Sequence, residues 1–134
     1  MYDIKNSFKP IDKCSIALIR GDDFVEEYGI NKIDYLKLDI EGAEYEAITG
    51  FEESFKAKKI KAVQFEYGYI NISTKKLLID FYTLFEEYGY VVGKIFPKNV
   101  EFRDYDFKYE DFLGPNYIAV DKNETELIDS LKKT

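Results

Sequence analysis

The chain of 134 residues has no histidine and no tryptophan, one cysteine (Cys14), and eight glycines of which no two are spaced G-x-G. Without histidine, Ser-His and Cys-His nucleophile pairs and the common zinc ligand sets are excluded. Acid–base chemistry therefore falls to Asp, Glu, Lys or Tyr. A lone cysteine forbids an internal disulfide and points to a reducing, cytoplasmic setting. No stretch approaches the roughly 18 unbroken apolar residues of a membrane span, and the opening "MYDIKNSFKPIDK" is charged throughout, without an apolar signal core. Nor is there an excess of base: 26 acids against 19 bases leave a net charge of -7. That balance argues against a nucleic-acid partner and against an anionic membrane surface.

What is present is enough for a core. Apolar residues make up 46% of the chain and aromatic residues 17%, as 12 Tyr and 11 Phe. Such a chain can bury enough surface to offset its ordering entropy, so residues 1–134 are expected to form a single domain.

Short apolar runs alternate with helical periodicity, and no internal repeat or Gly/Ser/Pro-rich linker interrupts them. The pattern predicts a strand over 15–19, a brief helix over 21–29 stopped by Gly29, and a strand over 33–39. Residues 42–58 place Ala43, Ala47, Ile48, Phe51 and Phe55 on one helical face. A strand over 60–68 follows, then a helix capped by Ser73 or Thr74 and running to Tyr88, with Gly89 at its end. Residues 90–96 read as a strand closed by Pro97, 98–114 as a long polar–aromatic loop, and 116–120 as a short strand. Asn123 and Glu126 open a final helix through Lys132. This order predicts an α/β fold with a mainly parallel sheet, helices on both faces, and a last strand that returns antiparallel.

Asp39, Glu41 and Glu44 crowd the junction where the 33–39 strand turns into a helix. Ligands of parallel sheets collect beyond the carboxyl ends of the strands. Asp39 and Glu66 sit at two such ends, and if those strands are neighbours their side chains meet in one crevice. There they could hold a cation, orient a hydroxyl or remove its proton. Carboxylates in the first helical turn are also favoured by the helix dipole, by about 0.3–1 kcal/mol, which accounts equally for Glu41 and Glu44. Lys37, inside an apolar strand, either reaches a carboxylate at the strand's mouth or snorkels at an edge.

The string "IDYLKLDIEGAEYEAITGFEE", followed by "IKAVQFEYG" and a helix ending "LFEEYGYVV", closely resembles the C-terminal half of FkbM-family methyltransferases over roughly residues 16–120. Lys37, Asp39, Glu41, Gly42, Ala43 and Glu44 match that family's lysine, aspartate and Glu-Gly-Ala-Glu position by position. The resemblance implies a partial Rossmann-like, class I sheet and an S-adenosylmethionine-dependent O-methyltransferase. Its acceptor would be a hydroxyl of a small molecule or carbohydrate. It implies catalytic roles for Asp39, Lys37 and Glu66 and substrate binding by Glu41, Glu44 and Tyr67. Some other class I O-methyltransferases hold Mg²⁺ between such carboxylates, a weaker analogy, and no metal is assigned here.

The chain departs from the class I pattern at the cofactor. Its glycines lack the G-x-G turn that follows the first strand, and Tyr2-Asp3-Ile4 only faintly echoes a strand-end aspartate. The match thus resembles strands four to seven without the first two, with no assignable cofactor-binding residue. Such a half exposes a strand edge, which implies a homodimer or pairing with a separate N-terminal half. The alternative is a non-catalytic α/β domain that works by self-association or protein binding. The aromatics of the 98–114 loop (Phe102, Tyr105, Phe107, Tyr109 and Phe112) form either a substrate lid or a cover over the sheet end.

Overall fold

The computed structural model describes residues 14–133. In chain order the elements are α1 (Gly21–Glu27), β1 (Leu36–Lys37), α2 (Glu44–Gly50), α3 (Glu52–Lys56), β2 (Ala62–Glu66), α4 (Ile70–Thr74), α5 (Leu78–Tyr88), β3 (Tyr90–Ile95), β4 (Val100–Phe102), a 3₁₀ turn (Phe107–Tyr109), β5 (Asn116–Asp121) and α6 (Thr125–Lys132). The strands form one sheet in the order β1-β2-β5-β3-β4.

Period-two alternation sorts the strand residues between two layers. Val63, Phe65 and Tyr67 point with Tyr90, Val92, Tyr117 and Ala119 toward Ile48, Phe55, Leu78, Phe81 and Phe85 of the helices. Ala62, Val100, Ile118 and Val120 point the other way, where α6 covers them through Ile128. The larger layer is built from rings: Phe65 stacks on Phe81 at 4.8 Å and Phe55 on Tyr88 at 5.4 Å. Each such pair adds about 0.5–1.5 kcal/mol beyond its buried area. Helices on both faces and an antiparallel last strand are as the pattern predicted.

The mainly parallel sheet is not. Only β1 and β2 pair in parallel, while β2–β5, β5–β3 and β3–β4 are antiparallel. The cause is β5. No helix precedes it, so it returns in the reverse direction, and it inserts between β2 and β3, replacing what would be a parallel contact with two antiparallel ones. Two successive reversals leave β1, β2 and β3 pointing the same way.

Five local expectations also change. The last helix, α6, opens at Thr125 with Glu124 as N-cap and no side-chain cap bond, not on an Asn123–Glu126 box. Residues 15–19 form no strand, and Ile16, Leu18 and Ile19 are exposed. The 42–58 helix is two, because Asp22 of α1 accepts the backbone N–H groups of Glu53 and Ser54, each at 2.9 Å, and so caps a separate α3. Ser73 and Thr74 end α4 instead of opening α5, and Lys75 follows in the left-handed region with φ 57°. Within 98–114, Val100–Phe102 is a strand, hairpinned to β3 through a turn closed by Phe96 N–H on the Asn99 carbonyl at 2.8 Å. The Tyr2-Asp3-Ile4 echo lies outside the described residues. No helix among the described residues is long and apolar enough to cross a membrane.

Candidate functional site

β1 and β2 are neighbours, with Lys37 opposite Gln64, and the Leu38 N–H continues the ladder to the Gln64 carbonyl at 2.9 Å. Leu36 and Leu38 pack into the core. Alternation therefore turns Lys37 and Asp39 to the opposite side. Lys37 Nζ stands 3.4 Å from Asp39 Oδ2, with both side chains more than half exposed (55% and 56%). A pair this wet contributes little to stability, so its placement matters more than its energy.

Beyond Asp39 the backbone turns sharply. Glu41 has φ 55° and Gly42 φ 105°. A side chain at position 42 would also bring its Cβ to 3.0 Å from both Ile70 and Thr74, so crowding by those side chains adds to the conformational demand for glycine. Glu44, fully buried, closes the turn: one carboxylate oxygen accepts the Ile40 N–H and the other the Gly42 N–H, each at 2.9 Å. Both acceptors are engaged inside the protein, and Glu44 does not line the neighbouring cavity. Tyr67 is equally buried, and its hydroxyl donates to Glu110 on the helix-covered side of the sheet.

The remaining residues of the group do converge. A cavity of about 220 Å³ lies beyond the ends of β1 and β2, with Asp39, Glu41 and Glu66 on its walls. Gly68, Tyr69 and Ile70 form another side, and Phe112, Leu113, Gly114 and Pro115 close it. The backbone packs tightly here, since a Cβ on Gly114 would come within 2.8 Å of the Tyr67 carbonyl oxygen. Burial raises the Glu66 carboxyl above its ordinary value, and the charges of Asp39, Glu41 and Glu44 raise it further against the opposing pull of Lys37.

The closing loop and its anchor escape sequence reasoning. Glu110 accepts the N–H groups of Leu78 and Ile79 and the Tyr105 hydroxyl, each at 2.9 Å, in addition to the Tyr67 hydroxyl. This fixes the chain just before Phe112. The one available signal is an unusual lack at the start of α5, where Leu77 offers no capping side chain.

Among the described residues no group of three His, Cys, Asp or Glu side chains is arranged to hold a metal ion. The volume also falls short of the ~300–1,000 Å³ usual for pockets that enclose drug-sized ligands. With no glycine-rich turn beside it, the cavity does not fit S-adenosylmethionine as a whole.

No curated protein and no solved structure matches the chain. A family model does, over residues 4–92, a span that starts earlier and stops sooner than the 16–120 read from the motifs. It contains the whole junction from Lys37 to Glu44 and the end of β2 at Glu66. With that match spanning most of its length, the chain belongs to the methyltransferase FkbM domain family.

Proposed function

We propose that this chain forms the acceptor side of an S-adenosylmethionine-dependent O-methyltransferase that acts on a hydroxyl of a small molecule or carbohydrate in the cytoplasm. The observation that carries the reading is the convergence of Asp39 and Glu66, from neighbouring strand ends, on one cavity. Carboxylates accept hydrogen bonds from hydroxyls, and a base acts best when its pKa moves toward the working pH. Glu66, raised by burial, takes the acceptor's proton. Asp39 orients the acceptor, and Lys37 balances the charge of Asp39. Glu41 contributes a further acceptor from the turn, while Glu44 and Tyr67 support the site from beneath its walls. A separate N-terminal half supplies the glycine turn for the cofactor, since a second copy of this chain carries no G-x-G spacing either.

The test is transfer of labelled methyl from S-adenosylmethionine to a panel of sugars and polyols by the chain combined with that N-terminal half, comparing wild type with Asp39→Asn and Glu66→Gln. General-base loss is expected to lower turnover by about 10²–10⁴-fold. Unchanged turnover in both variants, with the fold intact by circular dichroism, rejects the reading.

A second reading, a non-catalytic domain that self-associates, draws on the exposed apolar side chains of Tyr35 and Ile40, which flank the two-residue edge strand β1, and of Ile16, Leu18 and Ile19 before α1. It predicts a dimer by sedimentation that the Asp39 and Glu66 substitutions leave unchanged, with no methyl transfer to any acceptor.

A further inference from the structure

A second concavity, about 580 Å³, lies between α5 and the β3–β4 hairpin and shares no lining residue with the acidic cavity. Ile79, Val92 and Phe102 give it apolar walls, and Tyr82 and Arg103 reach into its floor. Its size is within the ~300–1,000 Å³ typical of small-molecule pockets.

Tyr82 and Arg103 of the lining, and Tyr117 outside it, carry polar atoms without a well-formed hydrogen bond. Tyr82 Oη, Tyr117 Oη and Arg103 Nε are all buried without a hydrogen-bond partner. They gather from three elements: Tyr82 from α5, Arg103 from just after β4, and Tyr117 from β5. The guanidinium lies against the Tyr109 ring, 3.5 Å from its centroid, and its carboxylate contact is Glu101 at 3.3 Å. Lys94 stands on the same side of the sheet, 5.5 Å from the Tyr117 ring centroid and 4.0 Å from Asp111. Both cations are largely buried (15% and 13% exposed side chains). Among the described residues Arg103 is the one cation of the groove lining, and its guanidinium keeps N–H groups free beside its carboxylate contact with Glu101. Leaving a buried polar group poorly paired costs about 1–3 kcal/mol. Although Arg103 lies near both tyrosine hydroxyls, the Tyr82 hydroxyl and Arg103 Nε in the groove lining are placed to gain from an added acceptor.

We propose that this groove binds a small organic monoanion, a carboxylate carrying an apolar or aromatic body. The carboxylate accepts from Arg103 and from the Tyr82 hydroxyl, as planar guanidinium–carboxylate geometry favours. The body rests on Ile79, Val92 and Phe102. Glu86 and Asp104, exposed at the rim, select against a second negative charge such as a phosphate carries.

The experiment is backbone-amide NMR of the full chain titrated with phenylacetate, with its neutral isostere phenylacetamide, and with inorganic phosphate. Phenylacetate is expected to give saturable shifts at Tyr82, Thr83, Phe102, Arg103 and Asp104, while the amide and phosphate bind at least about tenfold more weakly. Arg103→Gln is expected to abolish binding. Should that variant fail to fold, Tyr82→Phe decides, because it keeps the ring and removes only the hydroxyl; a weakening of about three- to tenfold is expected. Absence of saturable shifts at millimolar phenylacetate overturns the proposal. So does equal binding of the amide or of phosphate, or a Tyr82→Phe protein that binds as wild type does.

Discussion

Glu110 and Leu78 are separated by 32 positions, yet the Glu110 carboxylate accepts the Leu78 backbone N–H at 2.9 Å. The same carboxylate takes the Ile79 N–H, so a loop residue performs the capping that α5's own N-terminal residue does not. It also ties the helix start to Tyr67 and Tyr105, and through the next residues to the wall of the acidic cavity.

Removing that carboxylate should destabilise the whole assembly. Glu110→Ala is expected to cost about 3 kcal/mol by urea denaturation, from charge-assisted bonds lost to two N–H groups and two hydroxyls. Burial works to raise the Glu110 carboxyl, but the Tyr67 hydroxyl and the Leu78 and Ile79 N–H groups outweigh it and hold the group below its ordinary value. An acid depressed in the folded state stabilises above its unfolded pKa, and that stability is lost as pH falls through the folded pKa. The gap between wild type and Glu110→Gln should therefore be full at neutral pH and close under acid.

Glu66 runs the opposite way. Its carboxyl is raised in the folded protein, by burial first and then by neighbouring carboxylates. Wild type then loses stability as pH rises through the folded value, and Glu66→Gln does not. Thermal melts should show the variant equal to wild type in acid and more stable than wild type at neutral pH. An unchanged difference across that range would show that the group is not perturbed.

At Gly42 two constraints add. Gly42→Ala puts a side chain at φ 105° and a Cβ 3.0 Å from Ile70 and Thr74. A loss of about 2–3 kcal/mol is expected, with chemical-shift changes at Asp39 and Glu41 as the turn moves.

Glu44→Gln tests the closure of the same turn. An amide offers one acceptor where the carboxylate uses two, so either Ile40 or Gly42 loses its bond. A cost of about 1–3 kcal/mol by denaturation is expected, and hydrogen exchange at the Ile40 or Gly42 amide should quicken.

Much of the element order was legible because it rests on local pattern. The α5 stripe of Leu78, Phe81, Leu84, Phe85 and Tyr88, ended by Gly89 at φ 78°, is visible in spacing alone, as is the alternation of Val63, Phe65 and Tyr67. The meeting of Asp39 with Glu66 was legible as a condition on strand neighbours, and the parallel pairing of β1 with β2 meets it. What misled was charge near a helix start. Glu44 shares a motif with Asp39 and Glu41, but the left-handed turn at Glu41 and Gly42 carries it inward to bind backbone, and no composition distinguishes a carboxylate facing a cavity from one facing N–H groups.

By itself the sequence determined the local elements, their apolar faces and the acidic junction of a family domain, since periodicity and turn chemistry act over a few residues. Tertiary structure alone decided where β5 goes, and with it the mainly antiparallel sheet, because strand pairing depends on which edges are free after the rest has packed. It also decided that Asp22 caps α3, that Glu110 caps α5, and that Tyr82 and Arg103 line one groove. Those contacts join residues tens of positions apart, where no local spacing carries the signal.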